Sequence, residues 1–131
     1  MWVCTNEGFI SIVQDEKNPA LLKVRARKRS HLEALFPGVE IKESPLNDYR
    51  YRVFVDRGTV ARLLSDLVLA DKEHPAQVNY GNFKNSVRDD KLHDLYSDFW
   101  TLHHRYQSEA HRPPKPVAAT LAVKRQNSNR A

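Results

Sequence analysis

The sequence predicts an α+β domain on an antiparallel-rich, four-stranded sheet of permuted ferredoxin-like type. Helices flank the sheet, and a C-terminal helix and an irregular tail follow it. Three observations carry this expectation. Leu21-Leu22-Lys23-Val24-Arg25-Ala26-Arg27 and Tyr49-Arg50-Tyr51-Arg52-Val53-Phe54-Val55 both alternate apolar and cationic residues, the period of a half-buried strand. Val60, Leu63, Leu64, Leu67 and Val68 recur at helical spacing, as do Leu92, Leu95, Tyr96, Phe99, Trp100 and His103. The elements run strand, strand, helix, strand, strand, helix. That is a ferredoxin-like order with its last strand moved to the front.

Each element has a local reason. Trp2 to Thr5 is a short apolar-rich strand, Asn6-Glu7-Gly8 supplies turn chemistry, and Phe9 to Val13 returns as a second strand. Asp15 to Pro19 breaks the pattern before the first arginine strand. Ser30, with Glu33 three residues on, reads as a capping box for a short helix that Pro37-Gly38 ends. Val39 to Lys42 alternates as an edge strand, and Ser44-Pro45-Leu46-Asn47 turns into the second arginine strand. Asp56 or Thr59 then opens a helix. Asp71 to Gln77 is a loop, a short helix lies near Asn82–Val87, and a long one runs from Asp89 to about Tyr106. Asp89 and Asp90 suit its positive N-terminal end, and His103, His104 and Arg105 suit its negative C-terminal end.

At 131 residues the chain reads as one domain over residues 1–107 and a basic, proline-containing tail over 108–131. The net charge is +5. The tail holds Arg112, Lys115, Lys124, Arg125 and Arg130 against Glu109 alone, so +4 of that excess lies outside the domain. The overall charge is therefore weak support for nucleic-acid binding, and local arrangement must carry that case. Pro113-Pro114-Lys115-Pro116 stops any helix. Ala118 to Val123 has the composition of a short helix or docking segment, and Lys124 to Ala131 that of a flexible terminus. The lone cysteine, Cys4, forms no internal disulfide. Residues 1–7 lack the pattern of a signal peptide, and no apolar run is long enough to span a bilayer. A cytoplasmic protein with no membrane partner is the expectation.

The candidate site follows from strand alternation. Leu22, Val24, Ala26, Tyr51, Val53 and Val55 form one face, so Lys23, Arg25, Arg27, Arg50 and Arg52 fall on the other. If the two strands are central neighbours, five cations share that face beside Phe9, Val13 and Phe54. Two outcomes remain open. An uncovered face offers an anion-binding surface laid out like an RNA-recognition sheet, although the glycine-aromatic consensus of those modules is missing. A face covered by the C-terminal helix pairs its arginines internally with Asp94 or Asp98.

Other clusters are less specific. In Asn79-Tyr80-Gly81-Asn82-Phe83-Lys84, the residues Tyr80, Asn82 and Lys84 suit a phosphate at a helix N-terminus. They equally suit a cap and a core plug. His93, His103, His104 and His111 lack any metal-ligand spacing, and Cys4 lacks a paired base. No metal, cofactor or catalytic residue is assigned.

Gly8-Phe9-x-Ser11-x-Val13, Val24-Arg25-Ala26-Arg27, Asp48-Tyr49-x-Tyr51-Arg52, Tyr80-x-Asn82-Phe83-Lys84 and Tyr96-x-Asp98-x-Trp100 together resemble a family of small uncharacterised bacterial proteins. The resemblance spans roughly residues 1–102 and carries over no catalytic residue. It implies that the arginine strands and the Tyr-x-Asn-Phe-Lys loop are family features.

Three function classes follow. The first is a non-enzymatic binding or regulatory module acting through a protein partner, for which a phage-encoded inhibitor of a host defence complex is one example. The second is RNA or single-stranded DNA binding, with Arg25, Arg27, Arg50 and Arg52 on phosphates and Phe9 or Phe54 stacking on bases. The third is an enzyme on phosphate esters using Tyr80, Lys84 or His93 in proton transfer. No paired acid and base at a recognisable spacing supports it. The sequence favours the first and leaves the oligomeric state open.

Overall fold

The structure is a computed structural model that describes residues 1–69, 77–78 and 80–115. The elements are β1 (Trp2–Cys4), β2 (Phe9–Gln14), β3 (Leu21–Ala26), α1 (Arg29–Leu35), β4 (Lys42–Glu43), β5 (Tyr51–Asp56), α2 (Arg57–Leu69), α3 (Tyr80–Ser86) and α4 (Asp90–Ala110). The expected loop over Asp71 to Gln77 lies outside the described residues except at Gln77, and the segment beyond Lys115 lies outside them altogether.

All strand pairs are antiparallel and the sheet order is β1-β2-β3-β5-β4. The arginine strands β3 and β5 are central neighbours, as alternation and element order predicted. The sheet has five strands where four were expected, because β1, the first arm of the N-terminal hairpin, pairs along the outer side of β2 and joins the same sheet. Two local expectations are corrected. The edge strand forms at Lys42–Glu43 rather than over Val39–Lys42, since those are the residues that reach Arg52 and Tyr51 in the ladder. Ser30 lies inside α1 and caps nothing; Lys28 is the N-cap residue and makes no side-chain capping bond. Glu33 instead meets Arg29 at 2.9 Å, one helical turn away.

The core lies on one face of the sheet. Ile10, Ile12, Val24, Ala26, Val53 and Val55 pack against Leu32, Leu35 and Phe36 at and after α1, and against Val60 of α2. Asp56 starts α2 by accepting the Thr59 amide at 2.7 Å. That bond holds its carboxyl below the ordinary range. Asp89 does the same for α4, accepting the amides of Lys91 and Leu92.

The turn before β2 is closed by Thr5, whose Oγ1 accepts the amides of Glu7 and Gly8 and donates to the Gly8 carbonyl. Gly8 is required by crowding. A Cβ there would stand 2.5 Å from the Cβ of His31. His31 is buried, and its Nδ1 accepts the Phe9 amide at 3.4 Å. Asp89 lies 3.8 Å from its Nε2 and forms a 2.7 Å ion pair with Lys28. Tyr96 donates its hydroxyl to the Thr5 carbonyl at 2.8 Å, and burial pushes that hydroxyl's pKa well up.

The chain divides into two compact units, Met1–Tyr96 and Ser97–Ala131. In the second, α4 continues to Ala110 with Trp100 and His104 stacked at 5.1 Å. Trp100 is 67% and Tyr106 74% exposed there, so this part of the predicted apolar face is not core. No described helix is long and apolar enough to cross a membrane.

A candidate anion-binding face

The site is the sheet face opposite the core, within the first unit. Register places Ser11, Arg25, Arg52 and Lys42 in one row across β2, β3, β5 and β4, with Val13, Lys23 and Phe54 in the next. Period-two alternation produces this arrangement, because each of these residues neighbours one that faces the core.

The five expected cations do not form one uniform patch. Lys23 is largely covered and closed by Glu16 at 2.8 Å, and this hydrogen bond lowers the Glu16 carboxyl pKa. Arg50, which precedes β5, meets Glu43 at 2.7 Å, and that bond raises its own pKa. Arg27, past the end of β3, is exposed and donates to the Asp48 carbonyl. Arg25 and Arg52 are the half-buried centre. They oppose one another directly in the β3–β5 ladder.

Neutral groups hold this centre. Arg25 Nη2 donates to Ser11 Oγ at 2.9 Å, and Arg52 Nη2 donates to the Tyr49 carbonyl at 2.9 Å. The Tyr49 ring lies 4.6 Å from the Arg25 guanidinium carbon and 4.3 Å from that of Arg27, an electrostatically favourable placement. Both Arg25 Nε and Arg52 Nε are buried without a hydrogen-bond partner among the described residues. No carboxylate in this unit forms an ion pair with Arg25, Arg27 or Arg52 among those residues. The internal pairing foreseen for Asp94 is not formed; Asp94 is exposed on α4.

Sequence reasoning missed Tyr49, Ser11 and Lys42. Alternation gives Tyr49 the parity of Val53, yet residues 47–49 bend before β5 begins and its ring serves the arginines. Alternation places Lys42 on an edge strand but does not fix its register with Arg52, which a two-residue ladder sets. Phe9 is on the expected face but only 6% exposed. Lys84 is exposed on α3, while the side chains of Tyr80 and Asn82, and all of Asn79, lie outside the described part of the structure.

A cavity of about 530 Å³ opens on this face, lined by Asp15, Glu16 and Lys17 from the β2–β3 loop and by Val39 and Glu40 before β4. Leu21, Lys23, Lys42, Arg52 and Phe54 complete it. Among the described residues no group of three or more His, Cys, Asp or Glu is placed to hold a metal ion. Cys4 is exposed on the edge strand β1, and partial burial of its thiol raises its pKa, which disfavours the thiolate. No family model, curated protein or solved structure matches this chain.

Proposed function

We propose that the protein is a small non-enzymatic binding module that acts through a protein partner, with the Arg25–Arg52 face accepting acidic side chains of that partner. The carrying observation is the cross-strand arginine pair itself. Like charges directly opposite one another in a ladder oppose folding by about 0.2–1 kcal/mol. A protein that keeps such a pair half-buried beside neutral acceptors holds two guanidiniums ready for carboxylates, which they bind in planar, two-pronged geometry.

The type of partner follows from the charges beside the arginines. Stacking bases need exposed ring faces. Phe9 is 6% and Tyr49 4% exposed, and Tyr49 is already covered by guanidiniums; half-buried Phe54 and the exposed Trp2, opposite Ser11 in the β1–β2 ladder, are the rings on this face open to a base. The carboxylates of Asp15, Glu16 and Glu40 beside the same face disfavour a continuous phosphate backbone. That interruption favours the discrete carboxylates of a protein segment over RNA or single-stranded DNA. The same reading takes the sheet as a permuted ferredoxin-like scaffold, supported by the order β2-β3-β5-β4 with helices after β3 and β5.

Affinity capture tests the proposal, with wild type and a folded Arg25→Gln/Arg52→Gln variant as baits in nuclease-treated and untreated cell extract. The reading predicts a protein retained by wild type, lost with the variant, displaced by a soluble acidic peptide and indifferent to nuclease. Retention that vanishes on nuclease treatment would make the face a nucleic-acid platform.

A further inference from the structure

The cavity beside the arginine pair supports a more specific reading, which rests on the proposal that this face binds a protein. Its charges are unequally satisfied. Lys23 is closed by Glu16. Lys42 and Arg52 are direct partners in the β4–β5 ladder, and neither meets a carboxylate in this unit among the described residues. The Lys42 ammonium lies 5.4 Å from the centre of the Phe54 ring. Arg52 uses Nη2 on the Tyr49 carbonyl, and its Nη1 makes no hydrogen bond to a described residue. Leu21 and Val39 add apolar lining.

Two neighbouring cations at the edge of an aromatic and aliphatic pocket match a carboxylate joined to an apolar body. The lining holds Lys17, Lys23, Lys42 and Arg52 against Asp15, Glu16 and Glu40. A single negative charge balances that set; a doubly charged phosphate overshoots it. The volume, about 530 Å³, exceeds what a small aromatic acid fills, and the cavity is open enough for a chain to leave it. In a chain-terminal residue the carboxylate and the side chain share one Cα. An internal Asp or Glu would have to take its apolar group from a neighbour.

We propose that this cavity captures the C-terminal carboxylate of a partner chain that ends in an apolar residue, with the carboxylate on Lys42 and Arg52 and the last side chain against Phe54. A free aromatic acid shares this chemistry, so the test must separate the two.

Calorimetric titration of the full chain would use three probes: an N-acetylated peptide ending in Phe, the same peptide as its C-terminal amide, and 3-phenylpropionate. The free-acid peptide is expected to bind at least about tenfold more tightly than the amide and than 3-phenylpropionate. Lys42→Gln, an exposed position on a two-residue edge strand, should weaken it about tenfold, and Arg62→Gln, exposed on α2 and outside the cavity, by less than about twofold. Equal binding of acid and amide, 3-phenylpropionate matching the peptide, or no binding of the free-acid peptide would each overturn the assignment. If an acidic peptide still binds in an Arg25-dependent way, such a failure removes the terminal pocket alone. If that binding is absent too, the whole face is overturned.

Discussion

Arg25 and Arg52 stand directly opposite one another across the central ladder of the sheet, each holding a neutral oxygen and neither an acidic partner in this unit among the described residues. A buried ion pair loses about 3–5 kcal/mol when one partner is removed, because a charge is left uncompensated. A like-charge pair has the opposite logic. Removing one member relieves repulsion and one buried, unpaired Nε, at the cost of one hydrogen bond.

Arg52→Met keeps the aliphatic packing and deletes the charge. Its unfolding free energy in denaturant should stay within about 1 kcal/mol of wild type, since the gains and the lost bond nearly offset. A loss of about 3 kcal/mol or more would mean that Arg52 is held by a carboxylate after all.

Gly8→Ala pushes a methyl group into His31, where the nearest atoms are side-chain carbons at 2.5 and 2.6 Å and the His31 Cα at 3.0 Å. Overpacking of this kind costs about 1–3 kcal/mol. The denaturation midpoint should fall with an unchanged slope. An unchanged midpoint would show that the turn and α1 are not in this contact.

Asp89 has two roles, capping α4 and pairing with Lys28. Its carboxyl is held below the ordinary range first by the Lys28 hydrogen bond and then by the Leu92 amide. Asp89→Ala should cost about 1 kcal/mol, the usual worth of a cap, while Asp89→Asn keeps the cap and costs less. Lys28→Ala, whose side chain is mostly exposed, should cost no more than an exposed ion pair, about 0.2–1 kcal/mol. Equal losses in Asp89→Ala and Asp89→Asn would make the charge, not the cap, the larger effect.

His31 sets an acid dependence. Burial lowers its pKa, only partly opposed by the nearby Asp89 carboxylate. The folded state therefore gives up this proton at a lower pH than the unfolded chain, in which a histidine titrates near about 6.5. The contribution to stability is full above that value and is lost as pH falls through the depressed folded-state pKa. Asp89, also depressed, extends the loss into the carboxylate range. Stability followed by denaturation at a series of pH values should decline below about 6.5, and His31→Gln should flatten the first part of that decline. An identical pH profile in the variant would contradict this assignment.

Where the chain is regular, the sequence was a good guide. The pairing of β3 with β5 and the core face of Val24 and Val53 follow from element order and period-two patterning, and of Asp56 and Thr59, both suited to open α2, Asp56 makes the cap. The departures have physical reasons. Ser30 and Glu33 satisfy a capping pattern, but the N-cap of α1 falls two residues earlier, at Lys28, and Arg29 meets Glu33. The turn from Phe36 to Gly38, where Gly38 has φ +78, delays the edge strand to Lys42. Of the site, the positions of Lys23, Arg25 and Arg52 were legible from alternation. The sealing of Lys23 by Glu16, the Tyr49 ring on the guanidiniums and the His31–Asp89–Lys28 cluster were not, because each joins residues from separate elements through side-chain reach.

The most direct test of the central claim is fluorescence anisotropy of a short labelled acidic peptide and a labelled single-stranded RNA, each titrated with wild type and with folded Arg25→Gln/Arg52→Gln. The account predicts that wild type binds the peptide more tightly than the RNA and that the double variant loses the peptide. RNA bound more tightly than the peptide, or peptide binding unchanged in the double variant, would contradict it.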